Sequence, residues 1–205
     1  KISGLFGYKL VEKDYIKNIR TLSSNSSLNI KNLLENLCTQ NKLKSLLQIG
    51  ANDGKRFDEL NYFIKKYKIK SILVEPINEY FNELKNNYSK LECVKIENSA
   101  ISVDNEISYL FAVNNKFINK YDEHVKGLSS FEIEHLIKHG IKKNHIEKKK
   151  INSLSVTDLI NKYNIHELDL LYVDTEGYDG KIVYEFIKST KLKPIIIFEY
   201  IHIEN

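Results

Sequence analysis

The chain has 205 residues, 42% hydrophobic and 28% charged, which suits one globular domain with a full core. Its net charge of +4 is a mild excess, and the runs Lys142-Lys143 and Lys148-Lys149-Lys150 read as a solvated face, not a nucleic-acid surface. No apolar stretch approaches the roughly 18 residues of a membrane span, no signal-peptide pattern is present, and Cys38 and Cys93 lack metal-site spacing, so a reduced, cytoplasmic setting is expected.

Residues 1–42 read as an N-terminal helical extension. Within it 5–8 suits a short strand, 13–22 a helix and the serine-rich 23–27 a linker, and Leu28, Ile30, Leu33, Leu34 and Leu37 then recur at helical spacing. The main domain is expected over 43–205. Its first strand, 45–49, runs into Gly50-Ala51-Asn52-Asp53-Gly54, and a helical face of Phe57, Leu60, Phe63, Ile64 and Tyr67 follows. That order predicts a buried strand, a tight turn and a helix N-terminus with N–H groups to offer a ligand.

The second strand is expected over 71–75, stopped by Pro76, and the third over 93–97, with a helix bearing Tyr80, Phe81, Leu84 and Tyr88 between them. Near-continuous apolar strands alternating with helices predict an α/β fold, a mostly parallel sheet with helices on both faces. Residues about 104–153 break the rhythm and are expected to form a substrate lid. In it we expect a strand over 107–113, a loop over 114–126, a helix capped by Ser129 or Ser130 bearing Phe131, Leu136 and Ile137 and ending near Gly140, and a strand over 148–154. Ser155-Val156-Thr157-Asp158 has the form of a capping box, and strands over 168–173 and 194–198 complete the pattern, with a helix lined by Ile182, Val183, Phe186 and Ile187 between them.

Three strand ends carry carboxylates, Glu75, Asp174 and Glu199. Ligands of open α/β sheets bind outside the C-terminal strand ends, where the strand order reverses. An acid ending the second strand, about 20 residues after the glycine turn, suits a ribose diol, because a carboxylate accepts both hydroxyl hydrogens. Asn52 stands where a dinucleotide turn has its second glycine, so pyrophosphate is disfavoured. The methionine tail of S-adenosylmethionine needs less room: Asp174 can accept from its ammonium, and Asn52 can bond its carboxylate.

Gly50-Ala51-Asn52-Asp53-Gly54, Val74-Glu75-Pro76, Asn98-Ser99-Ala100-Ile101-Ser102, Asp169 through Gly177 and Ile197-Phe198-Glu199 follow one another in order. Together they resemble the motifs of FkbM-type S-adenosylmethionine-dependent methyltransferases, over about residues 43–199. The resemblance implies a Rossmann-like class I methyltransferase fold and, usually, transfer of a methyl group to a hydroxyl. It places Gly50, Ala51, Asn52, Asp53 and Gly54 around the methionine part, Glu75 and Pro76 at the ribose, Ser99 and Ala100 at the adenine edge, and Asp174 between the methionine head group and the acceptor. Two departures stand out: Tyr178 precedes Asp179 where the family commonly has a small residue, and the sequence closes at Asn205, before the last strands of the usual sheet. The opening at Lys1, not Met, is compatible with an excised or processed piece, and the sequence leaves open whether the chain is a fragment of a longer protein.

A hydroxyl acceptor calls for a base, and Asp174, Glu176 and His202 are the catalytic candidates. His135 and His139 share a helical face, but no third ligand is close in sequence, and no metal is expected; a magnesium ion on Asp174, Glu199 and His202 is the lesser alternative. His124, His145 and His166 carry no expected role. Nucleic-acid methylation is disfavoured, since no Pro-Cys loop and no Asn-Pro-Pro-aromatic signature occurs. The expected partner is a small-molecule or glycan acceptor, with no membrane. A non-catalytic nucleotide-binding domain within a larger assembly is the alternative, and an NAD-dependent enzyme ranks below both.

Overall fold

A computed structural model describes residues 30–56, 58–103, 109–122, 125 and 127–199. The expectations for 1–29 and for His124 and His202 therefore lie outside the described residues.

The apolar runs build a five-stranded, wholly parallel sheet: β1 (Ser45–Ile49), β2 (Lys70–Val74), β3 (Val94–Glu97), β9 (Leu170–Val173) and β10 (Ile195–Phe198), in the spatial order β10-β9-β1-β2-β3. The order reverses at β1, which pairs with β2 on one side (Leu47 opposite Ile72) and β9 on the other (Leu47 opposite Leu171). The remaining elements are α1 (Ile30–Thr39), α2 (Leu60–Tyr67), α3 (Asn78–Tyr88), β4 (Ala100–Ile101), β5 (Tyr109–Val113), β6 (Ser129–Ser130), α4 (Ile133–Lys138), β7 (Ile146–Lys150), β8 (Ser153–Leu154), α5 (Val156–Tyr163) and α6 (Asp179–Ser189).

Successive strand side chains point to opposite faces, so β1 serves two cores. Leu46 packs with Leu34 and Cys38 of α1, Phe63 and Ile64 of α2 and Leu84 of α3, while Leu47 and Ile49 pack with Leu159 of α5 and Ile182 and Phe186 of α6. This is the doubly covered, Rossmann-like arrangement that the continuous apolar strands predict. Asp169 fixes the entrance of the central pair: its Oδ2 accepts from the backbone N–H groups of Lys44 (2.8 Å) and Ser45 (2.9 Å). The capping box at α5 forms as expected, Ser155 Oγ accepting from Asp158 N at 3.0 Å.

The lid region departs from expectation in three ways. Ser129 and Ser130 cap no helix; they form β6, paired with Phe111 and Ala112, and α4 starts at Ile133 after Glu132, leaving Phe131 outside it and Ile137 exposed. Residues 148–154 are two strands, because the chain changes partner at Ile151: β7 runs antiparallel to β5, and β8 runs parallel to β4. Ile151 is buried at this crossing against Ile77, Ala100 and Leu110. The expected loop 114–126 contains a 3-10 turn at Ile118–Lys120. Val113, Val125, Leu128, Leu136 and Ile141 give the lid a small core of its own. The helix after the glycine turn begins only at Leu60, where Asp58 Oδ1 accepts from its first N–H at 2.8 Å.

Candidate active site

Where the strand order reverses, a cavity of ≈ 300 Å³ opens at the C-terminal ends of the strands, at the lower end of the roughly 300–1,000 Å³ usual for small-molecule sites. Its wall follows the sheet. Tyr172, Asp174, Thr175 and Glu176 come from the end of β9, Gln48 to Asn52 from β1, Glu75 and Pro76 from β2, and Ser99 to Ile101 from beyond β3. Three strand spacings of about 4.8 Å make this an elongated trough of roughly 14 Å. The segment expected as a lid adds Leu110, Gly127, Ser129 and Phe131 to its lining.

The turn after β1 is folded inward. Gly50 has φ +84°, and a Cβ there would lie 1.9 Å from the Asp174 carbonyl oxygen, so only glycine lets the tips of β1 and β9 touch. The N–H groups of Gly50 and Ala51 both donate to Val74 O at 3.0 Å, and that of Gly54 donates to Ala51 O. Asn52 N donates to Glu75 Oε2 (2.9 Å), Asp53 N to Asn52 Oδ1 (2.8 Å), and Lys55 N and Arg56 N to Asp53 Oδ1. Every amide from Gly50 to Arg56 is thus engaged within the protein. A pyrophosphate would need such amides for itself, so the turn is built against a dinucleotide.

Of the residues expected at the site, Gly50, Ala51, Asn52, Glu75, Pro76, Ser99, Ala100, Asp174 and Glu176 line the cavity. Asp53 and Gly54 do not. Asp53 is buried beneath the turn, where its Oδ2 also accepts from Arg56 Nε at 2.6 Å. Burial pushes its carboxyl up, but the Arg56 and Lys55 N–H groups and the Arg56 guanidinium outweigh that and hold it below its ordinary value. Gly54 packs against α3, where a Cβ would meet Leu84 Cδ1 at 2.4 Å and Tyr88 Cε2 at 2.6 Å. Glu199 ends β10 without lining the cavity.

Glu75 is 5% exposed, with Oε1 accepting from Ile77 N at 2.8 Å and Oε2 from Asn52 N at 2.9 Å. Burial raises its carboxyl to about 7 against the pull of those two N–H groups, with the nearby Asp53 charge adding to the rise. A carboxylate has about four lone-pair sites, so two remain for a diol. Asp179 holds the loop after β9: its carboxylate accepts from Thr175 N (3.1 Å), Thr175 Oγ1 (3.1 Å) and Gly177 N (3.2 Å). Tyr178, the residue at odds with the family pattern, is buried and meets Phe131 of the lid edge to face at 4.6 Å.

Glu176 sits in this loop at φ +53°, an uncommon backbone for a non-glycine residue. Its carbonyl accepts from Ser130 Oγ at 3.1 Å, and its Oε2 lies 3.1 Å from His135 Nε2. The third ligating group that is missing near His135 and His139 in sequence is therefore supplied from 41 residues away. His145, by contrast, is a core histidine, bonded to Tyr121 Oη at 2.6 Å and stacked on Phe117.

Gln48 and Asp58 also line the cavity, and neither is among the residues the motifs single out. Burial raises the Asp58 carboxyl to about 6 against the pull of the Leu60 N–H and the Gln48 side chain. Gln48 has one visible signal, a polar residue inside an apolar strand; Asp58 has none. Gln48 Oε1, Asp58 Oδ2 and Ser99 Oγ are buried at the cavity with no hydrogen-bond partner among the described residues. Buried polar atoms rarely stay unpaired, so the trough suits a ligand with a donor for the two acceptors at one end and a polar edge for the Ser99 hydroxyl at the other. S-adenosylmethionine has them, an ammonium at one end and an adenine amine at the other.

The family model of the methyltransferase FkbM domain matches residues 48–205, from within β1 onward. No curated protein and no solved structure matches the chain significantly. Among the described residues no helix is long and apolar enough to cross a membrane. A parallel sheet reversing at β1, a trough across its strand ends and this match lead to one conclusion: the chain belongs to the FkbM methyltransferase family, whose members use S-adenosylmethionine.

Proposed function

We propose that the chain transfers a methyl group from S-adenosylmethionine to a hydroxyl of a small polar acceptor, such as a sugar, a glycan unit or a secondary metabolite. The observation that carries this reading is the order of polar groups along the trough: unpartnered acceptors at the β1 end, a buried carboxylate at the β2 tip and an unpartnered hydroxyl beyond β3. In that reading Gln48 Oε1 and Asp58 Oδ2 accept from the methionine ammonium, Glu75 accepts from the ribose hydroxyls, and Ser99 Oγ bonds the adenine edge. Bound S-adenosylmethionine supplies a sulfonium methyl group that is electrophilic without further activation.

The protein's task is then alignment and exclusion of water. The lid residues Leu110 and Phe131 keep the trough dry. A hydroxyl loses its proton as it is methylated, and Asp174, at the tip of β9 between the methionine tail and the acceptor side, is the group that accepts it. Glu176, held by His135, anchors the acceptor. Thermal denaturation tests the cofactor half of this reading. S-adenosylhomocysteine at about 100 times its dissociation constant should stabilise the protein by about 2.7 kcal/mol. A shift with NAD and none with S-adenosylhomocysteine refutes it. Labelled-methyl transfer to a panel of sugars and polyols tests the acceptor half.

A further inference from the structure

We propose that His135, His139 and Glu176 form a binding site for a divalent transition-metal ion of the zinc class, at the wall of the acceptor side of the trough. The inference rests on the transferase reading only for its consequence, not for the site itself. One ligating atom from each of the three residues lies within 4.8 Å of the other two. His135 Nε2 and Glu176 Oε2 are already 3.1 Å apart, and the rings of His135 and His139 are 4.7 Å apart, centre to centre. Metal–nitrogen and metal–oxygen bonds of about 2.0–2.2 Å at tetrahedral angles put ligands about 3.4 Å from one another, so the widest pair must close by at most about 1.4 Å. His139 can make that movement, since it is exposed at the C-terminal end of α4.

The rest of the site is fixed. His135 is buried, and Glu176 is held by the bond from Ser130 to its carbonyl and by the Asp179 carboxylate beneath its loop. Its left-handed backbone is a local strain of the kind that collects at functional sites. Two imidazoles and one carboxylate suit zinc, and magnesium prefers an all-oxygen shell. Three protein ligands leave a position open to water or to an acceptor hydroxyl, and Glu176 itself lines the trough. With the ion bound, Glu176 anchors the acceptor through the metal.

The test uses the full chain, freed of metal with a chelator and titrated with Co2+, followed by its visible absorption, and with Zn2+ by calorimetry. One equivalent of Co2+ with the intense bands of a four-coordinate ion is expected, and no response to Mg2+. His139→Ala, a change at an exposed position, should weaken Co2+ binding by about 100-fold, as should Glu176→Gln, while His166→Ala leaves it unchanged. Absence of stoichiometric uptake, or His139→Ala binding as tightly as the parent, overturns the proposal. S-adenosylhomocysteine binding is measured on the same samples. Protein that takes up Co2+ at these residues but does not bind S-adenosylhomocysteine upholds the metal site and sinks the cofactor reading; protein that does the reverse overturns the metal site alone.

Discussion

The buried carboxyl of Glu75 makes stability depend on pH and, in the reading proposed above, cofactor affinity as well, in the opposite direction. It stands at about 7 in the folded chain, against an ordinary 4.5, because burial opposes its charge. A group raised on folding stabilises the protein most below its unfolded value, and that contribution is lost as pH rises through the folded value. With these two values, acidification from about pH 8 to about pH 6 should add about 1.4 kcal/mol of stability from Glu75 alone. Asp58, raised to about 6, adds a smaller increment of the same sign. Glu75→Gln should remove the larger part of the rise, so the difference between the two proteins' pH profiles isolates Glu75. With Glu75 at the ribose, the diol's two hydroxyls donate far better to the charged form, which accepts on both oxygens, than to the acid, which carries a proton of its own. The fraction ionised falls about tenfold over the same interval, so S-adenosylhomocysteine should bind the parent about tenfold more weakly at about pH 6. Urea unfolding across pH measures the first effect and calorimetric titration the second. Parallel stability profiles for parent and Glu75→Gln, together with an affinity that does not change with pH, would refute both the buried carboxyl and its role at the ribose.

Two further predictions separate the turn's scaffold from its ligand wall. Gly54→Ala drives a methyl group into Leu84 and Tyr88 at a left-handed backbone position and should cost about 2–4 kcal/mol in urea unfolding, yet leave S-adenosylhomocysteine affinity within about twofold in the folded protein. Asp53→Ala orphans the N–H groups of Lys55 and Arg56 and should cost about 2 kcal/mol near neutral pH; because the carboxyl is held low, the deficit should shrink only as pH falls below its ordinary value and through the lowered folded one. A large loss of ligand affinity in folded Gly54→Ala would place that glycine at the cofactor after all.

What the sequence makes legible is local or periodic. The strand at 45–49 and the box Ser155–Asp158 are written in adjacent residues, and the structure has both. The parallel sheet follows from strands apolar on both faces, as Leu46 and Leu47 serve two cores. Less legible is which side of a turn each residue serves. Gly50 and Gly54 look alike in sequence, but one meets the end of β9 and the other meets α3. The lid is the least legible part: the partner change at Ile151 depends on the pairing of β4 with β8, which no periodicity announces. Glu176 meets His135 only because the loop after β9 and the lid's short helix converge in space.

The pairing of Ala100–Ile101 with Ser153–Leu154 draws the two ends of the lid together. Its two ends meet in a two-stranded seam, fastened by Ala100 N to Asn152 O at 2.8 Å and Ser102 N to Leu154 O at 3.0 Å, and beyond it Ser130, Phe131 and His135 touch the loop after β9. Because none of the five strands of the parallel sheet lies between the two halves of that seam, a change in the length of the intervening segment leaves the register of the sheet as it is.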